Sequence, residues 1–251
     1  MFNQRSNSPF GRNNGMFGSS GYQYQTIPNA YEGTQASSLI GKVMLLLAFS
    51  FLVATIGTFV GFSLIPSFGI GTFWFAAIAG LIVLIILRFT IQVSGLNLVL
   101  LYLFTFLEGL SLSPIISAYL SGGYGNILGE AFLITAVTSL GLAAYSWTTK
   151  RDFSRLGDYL FFGLILLIVA SLVGIFFQGI FQSTLFALII SVVGVAIFSG
   201  YVLYYVQRAK YMADTMPNAI GLTVSIFITV LNLFLYILEI LSILQGGRNR
   251  R

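Results

Sequence analysis

One acidic residue lies far from both ends of a long apolar segment. Glu108 stands in the stretch Phe106-Leu107-Glu108-Gly109-Leu110, about midway along an expected membrane-spanning helix. Keeping a carboxylate ionised at the centre of a bilayer costs on the order of 3 kcal/mol on insertion scales. Protonating it at pH 7, from an ordinary pKa of about 4.3, costs roughly 3.7 kcal/mol. The two costs are too close to choose between, and both forms suggest a cation pathway, a proton relay or a buried structural pair.

A second polar pattern occurs in the last apolar segment. A polar face within lipid must turn toward protein or water. It either lines an ion pathway or joins helices through hydrogen bonds worth about 1 kcal/mol or less each. In both cases the last helix should lie at the centre of the bundle. The five residues are spaced four, three, four and three positions apart, on one helical face: Ser225, Thr229, Asn232, Tyr236 and Glu239.

Missing residue types exclude most enzyme chemistry. The chain contains no Cys and no His, which removes thiolate metal sites, Cys nucleophiles, His-ligated zinc or haem, and the Ser–His pair of most serine hydrolases. Lysine occurs only at Lys42, Lys150 and Lys210, none of them deep in a span, so a retinal Schiff base is excluded as well. We expect no enzyme activity, no cofactor and no metal site.

The helices that must position these residues follow from composition. Of 251 residues, 57% are hydrophobic and 8% are charged, whereas soluble domains carry about 25% charged residues. The apolar residues form runs of about 20, long enough at about 1.5 Å per residue to cross about 30 Å of hydrocarbon. The sequence therefore predicts an all-α integral membrane protein, a seven-transmembrane helix bundle with the seventh helix central.

Two tails flank the predicted transmembrane domain. Polar residues 1–35 predict a disordered N-terminal tail, because such a segment buries too little apolar surface to offset its ordering entropy. Residues 36–245 form the transmembrane domain, and 246–251 form a basic C-terminal tail. Pro66 is expected to interrupt the chain in the first connector. The predicted spans are 39–62, 72–91, 97–120, 127–148, 156–176, 185–207 and 219–244.

Cations are distributed unevenly among the connectors. The N-terminal side and the second, fourth and sixth connectors hold nine of the twelve Lys and Arg residues, whereas connectors 63–71, 121–126 and 177–184 hold no charge. The positive-inside rule therefore places the N-terminus in the cytoplasm. The last three arginines then lie outside if the seventh helix crosses the membrane, while a re-entrant helix would return them. The basic residues at 150, 151 and 155 indicate lipid headgroup contacts and no nucleic-acid partner.

Three stretches resemble the Bax inhibitor-1 family of membrane proteins. They are residues 104–114 (FTFLEGLSLSP), 197–205 (IFSGYVLYY) and 231–238 (LNLFLYIL). The second is similar to the family's sixth-span signature and the third to its seventh helix. The resemblance, to the bacterial type, implies a bundle around the seventh helix and a bacterial plasma (inner) membrane.

The resemblance also implies a pH-sensitive calcium leak. In the family, this leak is attributed to two Asp residues. Those positions are Tyr205 and Thr229 here, so a pair of carboxylates that shares or releases a proton does not exist in this chain. Calcium prefers about six to eight oxygen ligands with several carboxylates, and the spans offer only Glu108 and Glu239 besides hydroxyls and amides. Any conduction is expected to be weakly selective or gated differently.

Two functions follow from these observations. The first is a calcium-type cation leak, with Glu108 and the polar face of the seventh helix along the route. The second is a non-conducting regulator that binds other membrane proteins, for example a membrane protease, as the resemblance implies. The expected partners are the lipid bilayer and either cations or another membrane protein.

Overall fold

Seven α-helices follow one another in the computed structural model, which describes residues 32–69, 71–176 and 183–246. Each is long and apolar enough to cross a membrane, which confirms the predicted all-α, seven-span fold. The predicted tails lie outside the described residues apart from 32–35, which belong to the first helix, and residue 246. The helices are α1 (Glu32–Phe68), α2 (Gly71–Thr90), α3 (Leu96–Ser121), α4 (Gly125–Thr148), α5 (Leu156–Phe176), α6 (Thr184–Ala209) and α7 (Met216–Gly246).

The prediction for the first connector is wrong. Pro66 was expected between spans, but α1 continues through it and ends at Phe68. A proline this close to the end of a helix removes one backbone hydrogen bond and clashes only with the preceding turn. The chain then turns at Gly69, whose φ of 53° suits glycine and whose N–H donates to the carbonyl of Ile65 at 2.7 Å. The predicted bounds of α2 to α7 differ from the observed ones by three residues at most.

Helix α2 is apolar on both its buried and its exposed faces. Its buried residues recur with the period of an α-helix, and they include Ala76, Gly80 and Leu87. On the outer side Phe75 is 69% exposed and Phe89 is 83% exposed. Exposing such large apolar side chains to water is unfavourable, whereas lipid is as apolar as the protein interior. The outer face of α2 is therefore suited to acyl chains.

The described residues form two compact units. The first holds the residues up to Gly123 together with Ala209–Phe227, and the second holds Tyr124–Arg208 together with the residues from Ile228 onward. Helices α1, α2 and α3 belong to the first unit, and α4, α5 and α6 belong to the second. Helix α7 begins in the first unit and continues into the second.

In the first unit, α1 and α3 approach each other at glycines. A Cβ atom on Gly57 would overlap the backbone carbonyl of Phe106, and one on Gly109 would overlap the backbone of Ala54. At this crossing Thr58 donates its hydroxyl to the carbonyl of Gly109 at 2.8 Å. Small residues allow helices in a membrane to pack closely, and dispersion and hydrogen bonding then hold them together. The small residues of α1 therefore serve helix packing.

The second unit is joined by side-chain contacts of α4, α6 and α7. Ser146 of α4 donates to the carbonyl of Leu203 in α6 at 2.7 Å. Phe132 of α4 stacks on Phe234 of α7, with ring centroids 4.3 Å apart. Offset ring stacking of this kind adds about 0.5–1.5 kcal/mol beyond area burial.

Helix α7 is covered by protein along most of its length. None of its residues from Pro217 to Ile243 is exposed, which is the environment expected for a central helix. It runs unbroken for 31 residues, about 46 Å at the usual rise. This length exceeds the thickness of the hydrocarbon core, so the helix is long enough to cross the membrane.

Candidate functional site

Glu108 lies near the middle of α3 on the side that faces α2. The helix begins at Leu96, so about 18 Å of helix separates its start from Glu108. Opposite the carboxylate is Gly80 of α2, where an added Cβ would lie 3.5 Å from Oε1 of Glu108 and 3.7 Å from the Cβ of Leu107. The backbone of α2 at Gly80 therefore lies beside the carboxylate, with no side chain between them.

The carboxylate of Glu108 is half-buried and has no polar protein partner among the described residues. No hydrogen bond or ion pair within residues 32–69, 71–176 and 183–246 involves its oxygens. Its backbone carbonyl accepts the hydroxyl of Ser111 at 2.8 Å. Within the described part of the chain, the third alternative from the sequence, a buried structural pair, is not observed.

Pro114 follows Glu108 by less than two helical turns and does not interrupt α3. Proline has no N–H, so the carbonyl four residues earlier, that of Leu110, loses its usual donor. Ser113 supplies a donor instead, because its hydroxyl lies 2.7 Å from this carbonyl. Gly61 of α1 packs directly against the Ser113 side chain. The segment after Glu108 therefore stays helical because a side chain replaces the missing backbone bond.

The polar face of α7 directs much of its hydrogen bonding to its own backbone. Ser225 donates to the carbonyl of Gly221 at 2.9 Å, and Asn232 donates to that of Ile228 at 2.8 Å. Thr229 is 3% exposed. The pathway and helix-joining interpretations of this face both stay predictions.

Towards its end the polar face of α7 becomes aromatic. Tyr236 stacks on Phe198 of α6, with ring centroids 5.8 Å apart and planes 24° apart, and its ring fills the space above Gly194. Glu239, one helical turn further, is half-buried. Tyr236 therefore packs as an aromatic residue against α6.

Aromatic rings surround Tyr205, one of the two positions to which the resemblance assigns the Asp pair. Tyr205 stacks on Tyr201 at 5.6 Å and lies edge-on to Tyr204 at 5.3 Å. The guanidinium of Arg208 lies 5.8 Å from the ring centroid of Tyr204 and donates to its hydroxyl at 3.2 Å. The other position is Thr229. Among the described residues no group of three or more acidic, His or Cys side chains is arranged to hold a metal ion.

Two polar contacts that the sequence did not predict lie near the helix ends. Gln207 of α6 is 3% exposed; its Oε1 accepts the N–H of Phe153 and its Nε2 donates to the carbonyl of Arg151. Gln245 of α7 donates to Glu130 of α4 at 2.7 Å. Single amide residues close to span ends carry no distinctive spacing, so no sequence pattern indicated these contacts.

A third such contact, an ion pair, joins α1 to the connector before α7. Nζ of Lys42 lies 2.9 Å from Oδ1 of Asp214. Desolvation raises the pKa of Asp214, but hydrogen bonds from Ser38 and Lys42 and the charge of Lys42 outweigh it. The pKa of this carboxyl therefore lies below its ordinary value.

The depressed pKa of Asp214 predicts a loss of stability in acid. A carboxyl whose pKa is lower in the folded state stabilises the fold above its unfolded pKa, and this contribution disappears as the pH falls through the folded pKa. Asp214→Asn should lower stability at pH 7 by roughly 0.2–1 kcal/mol, because the pair is partly exposed, and should have no effect at the acid end. Thermal unfolding of detergent-solubilised protein between pH 3 and 7 measures this difference. Lys42→Gln should lower the stability at pH 7 in the same way. A stability difference between parent and variant that persists unchanged at pH 3 would contradict a stabilising role of the ion pair.

Comparison with known proteins agrees with this architecture. A family model described as "Inhibitor of apoptosis-promoting Bax1" matches residues 36–246. An uncharacterized protein of Campylobacter jejuni is 36% identical over 218 residues, which cover 84% of this chain and 92% of the relative. An uncharacterized protein of Pseudomonas aeruginosa is 30% identical over 234 residues, 89% and 97% of the two chains. A Golgi anti-apoptotic protein of vaccinia virus is 31% identical over 148 residues, 59% of each.

The matched region contains α2 to α7 entirely and all but the first four residues of α1. The resemblance seen in the three sequence stretches is thereby confirmed over the whole transmembrane domain. The chain is an integral membrane protein, and it belongs to the Bax inhibitor-1 family.

Proposed function

We propose that this protein lets cations leak across a membrane along a route that passes Glu108, without the proton-sharing Asp pair of the family. The observation that carries the proposal is the half-buried carboxylate of Glu108, which has no hydrogen bond or ion pair within the described residues. The proposed ions include calcium, as the resemblance to the family implies. The plasma membrane of a bacterium is the proposed location, with the N-terminus in the cytoplasm.

The free-energy cost of an ionised Glu108 within the span suggests that water reaches its carboxylate. An ionised carboxylate in a span costs on the order of 3 kcal/mol unless water or a partner solvates it. An ionised, half-buried carboxylate with no described partner is best stabilised by water that reaches it. Water at this depth would supply the path that a cation needs.

The ligand chemistry supports weak selectivity. A tight calcium site needs several carboxylates, and Glu108 is a single one. Conduction also requires that an ion bind weakly enough to leave its site. A lone carboxylate in an apolar helix meets this condition, so we expect calcium and monovalent cations to pass with similar ease.

The role of Glu108 can be measured as cation flux in proteoliposomes. Glu108→Gln keeps the shape of the side chain and removes its charge, so cation flux should fall by roughly tenfold as the attraction within the span is lost. Calcium uptake and potassium efflux are followed with internal dyes across pH 5–8. Elution as a single species in size-exclusion chromatography shows that the variant is folded.

Glu130→Gln is the matched control for this experiment. Glu130 is an exposed acid near the start of α4, and its neutralisation should leave flux within about twofold of the parent. Flux of the parent indistinguishable from that of empty vesicles, at every pH and with every ion, would refute the leak. Equal flux through the parent and Glu108→Gln would refute the role of Glu108.

A second function is favoured by the residues at the two family Asp positions. Tyr205 packs among tyrosine rings and Thr229 is buried, so neither offers a carboxylate to an ion. A chain of this kind would act as a non-conducting regulator that binds another membrane protein, such as a protease. The vaccinia relative is named for an anti-apoptotic role, which also suits a regulator. An inactive parent in the flux experiment, together with a specific partner recovered by crosslinking in native membranes, would favour this alternative.

A further inference from the structure

The connector between α4 and α5 carries three cations that are open to solvent. We call residues 149–155 the basic loop. Lys150, Arg151 and Arg155 are exposed, and among the described residues none of their side chains makes a hydrogen bond or an ion pair. Asp152 is the one acid of the loop, and its Oδ1 is occupied by the N–H of Ser154 at 2.8 Å. The loop therefore presents a net positive charge.

Gln207 holds the basic loop against the end of α6. Its side-chain oxygen accepts the N–H of Phe153 and its side-chain nitrogen donates to the carbonyl of Arg151. Gln207 is 3% exposed, so water competes little for either bond. Two bonds from one buried amide fix the backbone beside two of the cations. Such a loop loses less conformational entropy when its cations bind an anion.

Further contacts within the second unit restrain the loop from its ends. The N–H of Thr149 donates to the carbonyl of Tyr145 at 2.9 Å, and the N–H of Leu156 donates to that of Phe153 at 2.9 Å. The ring of Phe153 lies 6.3 Å from that of Tyr145. The loop is therefore a hydrogen-bonded turn and not a flexible linker.

Exposed aromatic residues flank the basic loop. Tyr145 is 44% exposed, Trp147 is 36% exposed and Tyr159 is 75% exposed. Tyrosine and tryptophan concentrate at the level of lipid headgroups, where an apolar ring and a polar tip are both accommodated. Because α4 and α5 both span the membrane, the loop that joins them reaches this same level.

We propose that the basic loop, positioned by Gln207, is a binding site for the phosphate of an anionic phospholipid in the adjoining leaflet. The occupant is a lipid because the loop connects two membrane-spanning helices. It is also flanked by aromatic side chains of the kind found at the level of lipid headgroups. The lipid phosphate and anionic headgroup meet Lys150, Arg151 and Arg155, while the side-chain amide of Gln207 hydrogen-bonds the loop backbone. Each cation near an anionic surface contributes a factor of about five in affinity.

Lipid preference in reconstituted vesicles tests this site. The full chain is placed in phosphatidylcholine bilayers, and the motionally restricted fraction of spin-labelled phosphatidylglycerol is compared with that of spin-labelled phosphatidylcholine. A triple variant, Lys150→Gln with Arg151→Gln and Arg155→Gln, should reduce the preference for phosphatidylglycerol at least about fivefold. The matched control neutralises Arg248, Arg250 and Arg251, which changes the net charge equally and should keep most of the preference.

Gln207→Leu tests the positioning role because it changes no charge. This variant keeps the three loop cations but lacks both hydrogen bonds of the Gln207 side chain. The preference for phosphatidylglycerol should therefore fall by about twofold or more. A folded Gln207→Leu protein with the parental preference would remove Gln207 from the proposal. If Gln207→Leu does not fold, Gln207→Met, which keeps the length of the side chain, adds no charge and makes neither hydrogen bond, replaces it under the same criterion.

Other outcomes would overturn the site itself. An equal loss in the loop and tail variants would show a general charge effect, and no loss in the loop variant would show that the loop does not bind lipid. Soluble inorganic phosphate that abolished the preference at millimolar concentration would indicate a free anion as the occupant. A loss confined to the loop variant and insensitive to phosphate supports the proposal.

Discussion

Gly109→Ala should lower the free energy of unfolding by about 2 to 3 kcal/mol, a cost typical of overpacked interiors. The added Cβ would overlap the backbone of Ala54 in α1. Backbone cannot rotate away as a side-chain tip can, so α1 and α3 would have to separate. Separation would also stretch the hydrogen bond from Thr58 to the carbonyl of Gly109. Thermal or denaturant-induced unfolding in detergent micelles, followed by circular dichroism, measures the change.

Gly129→Ala is the matched control for that substitution. Gly129 lies in α4, and an added Cβ there would meet no atom within 4 Å. Alanine is a better helix former than glycine by about 0.5–1 kcal/mol, so stability should stay equal or rise slightly. Equal destabilisation by the two substitutions would show that α1 and α3 do not approach each other closely at Gly109.

Phe227→Ala should lower the free energy of unfolding by about 2–3 kcal/mol. Phe227 is fully buried on α7, with its ring centroid 5.1 Å from that of Phe51 in α1 and 6.1 Å from that of Phe104 in α3. Truncation of a membrane helix forfeits little transfer energy, because lipid is as apolar as the protein interior. The cavity and the lost dispersion contacts remain as the cost. The same unfolding measurement in micelles gives the value.

Phe89→Ala removes the same atoms from a lipid-facing position. Phe89 is 83% exposed on α2, so detergent or lipid fills the space and stability should change by less than about 0.5 kcal/mol. The contrast between the two phenylalanines separates packing from hydrophobicity. A large loss at Phe89 would indicate that another chain covers this face of α2.

The seven spans were predictable because the membrane imposes their length and polarity. Helices in hydrocarbon must bond their own backbones and need about 20 apolar residues to cross, so runs of apolar residues indicate them directly. The same reasoning selected Glu108, since a carboxylate is costly in any span whatever its neighbours are. Only the ends of α1 were misjudged: its first turns carry polar residues, and Pro66 near its end does not stop the helix.

Sequence by itself thus determined the class, the spans and the outlying acid of this protein. Tertiary structure alone decided which residues meet. In a membrane the inner and outer faces of a helix are equally apolar. The sequence of α2 therefore does not predict that Gly80 faces Glu108 while Phe89 faces outward. The contacts of Gln207 with the basic loop and of Lys42 with Asp214 join residues far apart in the chain. Such pairs depend on how helices pack, and helix packing in lipid follows from shape and small residues, not from a pattern of hydrophobicity.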